Sequence, residues 1–294
     1  MRHTSDNPCA SVALAELLQH FRQCHEEKLL QNGIDSWKYL CGGKGETAII
    51  VIPGSGGTAE SMFTVHAALE SRARVISLGI PATVSTTEQA VDGIRSILDS
   101  VRLPHAVFLG HSLGGLVAQA FASCHPGRVS GLVLSNTGFY RGGRAYLLPR
   151  AVQCMSWLPN SLLQRTVGSQ MNRLLSASEA RDFWRRFYGE QLRDPDSGVR
   201  LKQQCRLMCD MLYFFRDHAV LPTLEWAQST PVRILSSADD RGFTRDEIAF
   251  LGSLYRRSQT VVFPKETGHL GFLTRPAEYM ATVQAFLDEV EARP

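Results

Sequence analysis

The most regular feature of the sequence is a series of short apolar, β-branched runs separated by stretches of helical periodicity. Short apolar runs bounded by turn residues are typical of buried strands. Such runs begin near residues 36, 47, 73, 105, 129, 232 and 259. Helical stretches are expected at about 59–71, 86–102, 113–124, 244–256 and 275–291. Strands that alternate with helices predict an α/β fold, in which a mostly parallel central sheet has helices on both faces.

One long segment interrupts this alternation. Residues 139–228 contain no convincing strand and are rich in helix formers and large apolar side chains. We predict that residues 1–138 and 229–294 form the core and that 139–228 form an inserted helical lid over the carboxyl edge of the sheet. Apolar positions at helical spacing, closed by an Asn-Gly pair, also predict an N-terminal helix over 9–32.

The composition is that of an ordinary globular chain. The net charge of +3 on 294 residues is too small to indicate nucleic-acid binding, and no apolar run has the length of a membrane span. Seven cysteines at irregular spacing, with no recognisable signal peptide, indicate reduced thiols in a cytoplasmic protein. Cys205 and Cys209 lie one helical turn apart, but no suitable second pair completes a metal site. We therefore expect neither a metal nor a cofactor.

A serine flanked by glycines lies where a predicted strand ends and a predicted helix begins. The sequence Gly110-His111-Ser112-Leu113-Gly114 fits the pattern G-x-S-x-G. A nucleophile on such a tight turn has strained backbone angles, and side chains in place of the glycines would collide there. The turn exposes the hydroxyl, and the amides that follow lie at a helix N-terminus, which favours negative charge. The position between strand and helix favours a nucleophile over an ordinary turn serine.

A serine nucleophile needs a base, and the base needs an orienting acid. On a strand-to-helix elbow the chain order is serine, acid, histidine. Asp239 and Asp240 follow the apolar run that begins near residue 232. His269 lies in a glycine-flanked loop after the run that begins near residue 259. Asn136 occupies a second possible acid position, which favours the aspartate loop. Because the carboxyl ends of parallel strands share one edge, we expect Ser112, one aspartate and His269 to converge there.

Backbone amides beside the serine are expected to bind the negative oxygen that forms during the reaction. The loop "IPGSGGTAES" follows the apolar run that begins near residue 47, and we assign this role to the amides of Ser55 and Leu113. Four aromatic or imidazole side chains are weaker candidates for substrate contacts. For each of them, the simpler alternative is that the side chain packs in the protein interior. They are His66, Trp157, Trp184 and Tyr213.

From about Trp37 to its end, the chain resembles the α/β-hydrolase superfamily. The resemblance rests on "PGSGG", "GHSLGG", "SSADDRGF" and "TGHLGF". The stretches "IPGSGGTAESMF" and "GHSLGGLVAQAFA" are also similar to maspardin-like members. The resemblance implies the α/β-hydrolase fold, and it favours Asp240 as the acid because the family usually places the acid at the later of two such positions. Pro53 stands where many hydrolases have histidine.

Together these features predict a serine hydrolase that cleaves an ester or thioester of a medium-sized apolar acyl group through an acyl-enzyme. The aromatic residues of 139–228 favour an apolar substrate. Between Phe139 and Trp226, 13 Arg or Lys stand against 8 Asp or Glu, which would suit a CoA thioester or an acidic carrier protein. Two alternatives stay open: a lyase or cyclase of small-molecule biosynthesis on the same fold, and a maspardin-like binding protein.

Overall fold

The computed structural model describes residues 7–140, 143–217 and 225–293. The predicted core and lid ranges also include 1–6, 141–142, 218–224 and 294, which lie outside the described residues.

Eight strands form one sheet. They are β1 (Lys28–Asn32), β2 (Asp35–Gly42), β3 (Ala48–Ile52), β4 (Arg74–Leu78), β5 (Ala106–His111), β6 (Val129–Ser135), β7 (Val232–Ser237) and β8 (Ser258–Phe263). Their order in the sheet is β1-β2-β4-β3-β5-β6-β7-β8. The first two pairs, β1 with β2 and β2 with β4, are antiparallel, and the other pairs are parallel. The predicted α/β fold with a mostly parallel sheet is confirmed.

Twelve helices surround the sheet in the described residues. They are α1 (Pro8–Cys24), α2 (Phe63–Leu69), α3 (Thr87–Ser100), α4 (Leu113–Cys124), α5 (Gly143–Ser156), α6 (Asn160–Leu174), α7 (Arg181–Arg193), α8 (Ser197–Asp217), α9 (Glu225–Ser229), α10 (Arg245–Leu254), α11 (Gly271–Thr274) and α12 (Pro276–Glu291). None of these helices combines the length and apolar character that crossing a bilayer requires.

Both faces of the sheet are covered, as the continuous apolar strands predicted. All five residues of β3 are buried. Ile50 and Ile52 pack into a cluster with side chains of α3 and α4, whereas Ile49 and Val51 point to the opposite face and pack with α2 and α12. The central strands therefore have no polar face, and their carboxyl ends are the part of the sheet that carries loops with polar side chains.

The predicted N-terminal helix over 9–32 is wrong in its second half. Helix α1 ends at Cys24, and residues 28–32 form β1, which pairs with β2 as a hairpin. Gly33 is the first of two residues between the strands and has φ of 61°, a conformation that glycine adopts without strain. The Asn-Gly pair is thus a hairpin turn. Most positions of β1 are exposed or half-buried, so the strand lacks the alternating apolar pattern that would have identified it.

The segment predicted as a lid contains α5 to α8 and the beginning of α9. Helix α8 packs against α3 and α4 and reaches the loop after β3. There the Gln204 side chain accepts a hydrogen bond from the Gly56 amide at 2.5 Å, and Asp210 accepts one from the Thr87 amide at 2.7 Å. Helix α7 packs its aromatic side chains against Phe63 of α2. The segment is therefore attached to both faces of the core.

Gly93 tests how tightly α3 packs on the sheet. A Cβ at this position would lie 2.1 Å from ring atoms of Trp37, which is fully buried. Alanine is favoured over glycine in a helix by about 1 kcal/mol, but overpacking a core costs about 1–3 kcal/mol. We expect Gly93→Ala to lower the free energy of unfolding by about 1–3 kcal/mol in urea denaturation followed by circular dichroism.

The matched control is Gly127→Ala, because a Cβ at Gly127 would meet nothing within 4 Å. This variant should keep the wild-type stability or gain up to about 1 kcal/mol through the stiffer unfolded chain. Equal effects of the two substitutions would contradict the packing argument.

Candidate active site

Ser112 lies on a strained turn between β5 and α4. Its φ of 51° and ψ of −116° fall outside the regions that non-glycine residues normally adopt. The Ser112 amide donates to the Ser135 carbonyl of β6 at 2.9 Å. A Cβ at Gly110 would lie 2.3 Å from the Gly114 carbonyl oxygen, and one at Gly114 would lie 2.2 Å from that of Ile52. The close approach of α4 to the sheet therefore requires both glycines of the motif, and it holds the serine in its strained conformation.

A buried carboxylate and an imidazole meet at the carboxyl edge of the sheet. The Nδ1 atom of His269 lies 3.0 and 3.1 Å from the two carboxylate oxygens of Asp240. Asp240 follows β7 and its side chain is fully buried, whereas the His269 ring, after β8, is 18% exposed. The amide of Gly242 donates to Asp240 Oδ1 at 2.8 Å, and the Asn136 side-chain amide donates to Oδ2 at 2.8 Å. Each carboxylate oxygen thus has a donor besides His269.

These donors set the charge of the carboxylate. Burial by itself raises the pKa of Asp240, but the hydrogen bond and charge of His269, with the bonds from Asn136 and Gly242, outweigh burial and hold the pKa below its ordinary value. An ionised carboxylate accepts hydrogen bonds only, so Nδ1 of His269 must carry the hydrogen. In the neutral ring, Nε2 is then free to take a proton.

The neighbouring Asp239 has a different set of contacts. Its two carboxylate oxygens accept hydrogen bonds from the backbone amides of Glu266 and Gly268, each at 2.9 Å. Asp239 therefore fixes the loop that carries His269, while Asp240 contacts the imidazole itself. The two aspartates are adjacent in the sequence, and only their side-chain directions separate these roles.

Asn136 is a site residue that sequence reasoning missed. In the sequence it is only a position that lacks a carboxylate, but its side chain donates to Asp240 at 2.8 Å and lies 3.5 Å from the Gly268 carbonyl. Its φ of 45° lies in the left-handed region, where asparagine is among the few residues that occur often. An asparagine directly after a buried strand at this edge of the sheet was the available signal.

His111 occupies the space between the elbow and the histidine loop. Its ring is buried, its centre lies 5.1 Å from the ring centres of His269 and Phe272, and its Nδ1 lies 3.3 Å from the Ser135 hydroxyl. Burial and then the charge of His269 lower the pKa of His111 to about 3. The ring is therefore neutral near pH 7, and a second positive charge is kept away from His269.

The predicted hydrogen bond between the Ser112 hydroxyl and His269 is not formed. In the part of the chain that the structure describes, no hydrogen bond of 3.5 Å or less joins the Ser112 hydroxyl to His269. Catalytic hydrogen bonds are often long before the substrate binds. The structure brings Asp240 to His269, and brings His269 beside His111, the immediate neighbour of the serine. The contact between Ser112 and His269 stays a prediction.

The two segments predicted to bind an oxyanion both adjoin the serine. A Cβ at Gly54 would lie 3.2 Å from the Cβ of Ser112, so the loop that contains Ser55 lies against the elbow. Leu113 is the first residue of α4, where amides have no acceptor within the helix. The assignment of these two amides to an oxyanion remains a prediction.

The four candidate substrate contacts lie elsewhere. Trp184 is buried among Phe63 and other aromatic side chains, and His66 is fully buried with its Nδ1 2.7 Å from the Ser77 hydroxyl. For these two, the packed-interior alternative replaces our prediction. Trp157 is 69% exposed and Tyr213 is 41% exposed. Within the described ranges, no hydrogen bond or ring contact links any of the four to Ser112 or His269.

Comparison with known proteins identifies the family. The model of the alpha/beta hydrolase family matches residues 49–282, and the chain belongs to this family. An uncharacterized protein of Mycobacterium tuberculosis is 24% identical over an alignment of 266 residues, which covers 83% of this chain and 76% of that protein. The resemblance inferred from the four sequence motifs is thereby confirmed.

More identical relatives match over shorter stretches. Maspardin of Danio rerio is 41% identical over 92 residues, 30% of this chain and 29% of maspardin. The dihydrolipoyllysine-residue acetyltransferase component of the acetoin cleaving system of Pseudomonas putida is 31% identical over 101 residues, 32% of this chain and 27% of that protein. The matches thus span less than a third of either relative.

Solved structures share the fold over nearly the whole chain. An esterase from Rhodococcus sp. superposes with a TM-score of 0.69 at 20% identity, covering 90% of this chain and 98% of the esterase. A hydrolase from Pseudomonas aeruginosa gives a TM-score of 0.71 at 21% identity, covering 89% and 98%. At this identity the likeness concerns the fold.

The lowered pKa of Asp240 makes a prediction about stability and pH. The ionised carboxylate stabilises the fold above the pKa of an unfolded aspartate, about 3.9, and this contribution is lost as the pH falls through the lower folded value. We expect the difference in free energy of unfolding between the wild type and Asp240→Asn to shrink below about pH 4. Urea denaturation at several pH values measures it, and a difference that stays constant down to about pH 2 would contradict the argument.

Proposed function

We propose that the protein hydrolyses a carboxylic ester, with Ser112 as nucleophile, His269 as base and Asp240 as the residue that orients the histidine. The observations that carry the proposal are the contact of the buried Asp240 carboxylate with His269, at 3.0 Å, and the strained backbone of Ser112, with φ of 51°. A backbone conformation of this kind costs about 1–3 kcal/mol, and strained residues cluster at functional sites. Burying a carboxylate against an imidazole likewise serves proton transfer better than it serves stability.

The proposed reaction has two halves. As the Ser112 hydroxyl attacks the carbonyl carbon, Nε2 of His269 takes its proton, and the amides of Ser55 and Leu113 bind the resulting oxyanion. The C–O bond of the ester then breaks, and the alcohol leaves with the proton from the imidazolium. Water repeats the sequence on the acyl-enzyme and releases the acid and the free serine. The ionised Asp240 stabilises the imidazolium in both halves.

Apolar side chains near the site support an apolar acyl group. Leu201 of α8 lies beside Gly56 in the loop after β3, with its Cδ2 atom 3.3 Å from a Cβ built there. Phe243, three residues after Asp240, stacks on Tyr140 at 5.0 Å, and Phe272 lies against His111. Apolar walls with a few convergent polar groups are typical of small-molecule sites.

A thioester is a variant of the same proposal. The excess of basic residues between Phe139 and Trp226 would attract the phosphates of CoA or an acidic carrier protein. In this variant the C–S bond breaks in place of the C–O bond, and the thiol leaves.

Two other functions use the same residues. A lyase or cyclase would employ His269 and the oxyanion amides without acylating Ser112. A binding protein is favoured by one observation, the 41% identity to maspardin over 92 residues. The presence of a serine elbow, an aspartate and a histidine in one chain supports retained chemistry over binding alone.

The first test is labelling by a fluorophosphonate probe together with hydrolysis of p-nitrophenyl esters of increasing acyl length. The wild type should label and Ser112→Ala should not. Asp240→Asn should lower kcat/KM by on the order of 10³–10⁴-fold, because the wrong imidazole tautomer is then stabilised. The matched control Asp239→Asn should cause a clearly smaller loss, since Asp239 contacts only backbone amides. A folded wild-type chain that does not label would favour the binding function.

A second test separates hydrolysis from lyase or cyclase chemistry. Turnover in water enriched in heavy oxygen should place one heavy atom in each acid product, because water cleaves the acyl-enzyme. Mass spectrometry of the product measures the incorporation. Turnover without incorporation would show that water is not a reactant and would reject the hydrolase.

A further inference from the structure

A second group of polar side chains lies between the end of α1, helix α2 and strand β2. In the sheet, β4 and β3 lie between β2 and β5, the strand that precedes Ser112. His25 is the residue after α1, His66 lies on α2, and Glu70 follows that helix. The Nε2 atoms of both histidines and a carboxylate oxygen of Glu70 all lie within 4.8 Å of one another. Glu70 Oε1 is 3.1 Å from His66 Nε2 and also contacts His25 Nε2. None of these groups takes part in the proposed ester chemistry.

The other nitrogen of each ring is already bonded to an oxygen. His25 Nδ1 lies 2.7 Å from the Phe21 carbonyl, which can only accept, so this nitrogen carries a hydrogen. His66 Nδ1 lies 2.7 Å from the Ser77 hydroxyl. Both Nε2 atoms therefore point towards one carboxylate. Histidines that bind metals are oriented in this way, with the second ring nitrogen bonded to a carbonyl, carboxylate or hydroxyl oxygen.

His66 has a buried nitrogen without a hydrogen-bond partner. Its side chain is fully buried, and Nε2 makes no hydrogen bond although it faces Glu70 at 3.1 Å. Unpaired buried polar atoms are rare in native proteins, and a bound cation would satisfy this one together with the carboxylate.

The backbone of β2 leaves room for the group. A Cβ at Gly42 would lie 1.6 Å from Glu70 Oε1 and 2.7 Å from His25 Nε2, so any larger residue would occupy this space. Glycine within a strand often marks the close approach of another group. A cavity of about 270 Å³ is lined by two of the three residues, His25 and Glu70, and also by Gly42 and Cys41. It offers space for a fourth ligand.

We propose that His25, His66 and Glu70 bind a divalent transition-metal ion, with Zn²⁺ as the best fit. Two imidazoles and one carboxylate with an open fourth position are a known zinc ligand set, whereas Ca²⁺ and Mg²⁺ prefer oxygen ligands throughout. The ion would join the end of α1 to α2 and so stabilise the docked helix. The sequence alone does not indicate this site, because His25 and Glu70 are 45 positions apart.

The test is a calorimetric titration of the chelator-treated full chain with ZnCl₂, together with thermal unfolding with and without zinc. The wild type should bind one ion and unfold at a higher temperature when zinc is present. Glu70→Gln and His25→Gln should weaken binding at least about tenfold, and Ser77→Ala, which touches no ion, should weaken it by about 10–100-fold because His66 loses its orienting partner. Each variant is first checked for wild-type circular dichroism.

Surface thiols are the main competing ligands, because Cys24 lies 3.6 Å from His20 Nε2 at the edge of the same cavity. Cys24→Ser and the distant His105→Gln serve as matched controls and should keep wild-type affinity. Loss of binding in Cys24→Ser with retention in Glu70→Gln would assign the ion to the thiol and overturn the proposal. A wild type without saturable binding, or a Glu70→Gln and Ser77→Ala pair that both bind normally, would also overturn it.

Discussion

The carboxylate of Asp240 accepts hydrogen bonds from two residues distant in the chain, His269 after β8 and Asn136 after β6, and from the Gly242 amide of its own loop. A buried carboxylate is costly unless its lone pairs are satisfied, so the loops after three neighbouring strands must take up one mutual arrangement. That arrangement fixes the tautomer and direction of His269. The remainder of the site is then built around the imidazole.

The opposite wall of the site is fixed by backbone packing. Helix α4 approaches the sheet so closely that side chains at Gly110 or Gly114 would overlap carbonyl oxygens. This contact holds Ser112 in a conformation that an isolated peptide would avoid. The wall that carries His269 thus depends on a hydrogen-bonded Asp240 carboxylate, and the wall that carries Ser112 depends on the absence of side chains at Gly110 and Gly114. Both walls lie at the carboxyl edge of one sheet, because β5, β6, β7 and β8 are consecutive strands in it.

The polar group of His25, His66 and Glu70 illustrates a different use of burial. It lies under α1, which precedes the first strand and covers the edge of the domain next to α2. Three titratable side chains facing one another are an unusual way to attach a helix, since apolar contacts would do so without desolvating a carboxylate. The proposed metal site, separate from the proposed ester chemistry, gives the geometry of this group a physical reason.

Much of the fold and the elbow could be predicted from the sequence alone. Continuous apolar strands and amphipathic helices have local periodic signals, and the glycines around Ser112 are required by local backbone geometry, so neither needs knowledge of distant contacts. The order serine, acid, histidine likewise follows from the chain order of strands whose ends share one edge.

Other features were decided only by tertiary contacts. Asp239 and Asp240 differ in role because one side chain meets backbone amides and the other meets an imidazole 29 positions away. The exposed edge strand β1 depends on its pairing with β2, since it buries too little apolar surface to have a pattern of its own. The burial of His66 depends on α1 folding back over α2. In each case, contacts with residues distant in sequence stabilise the observed arrangement, and local propensity does not predict such contacts.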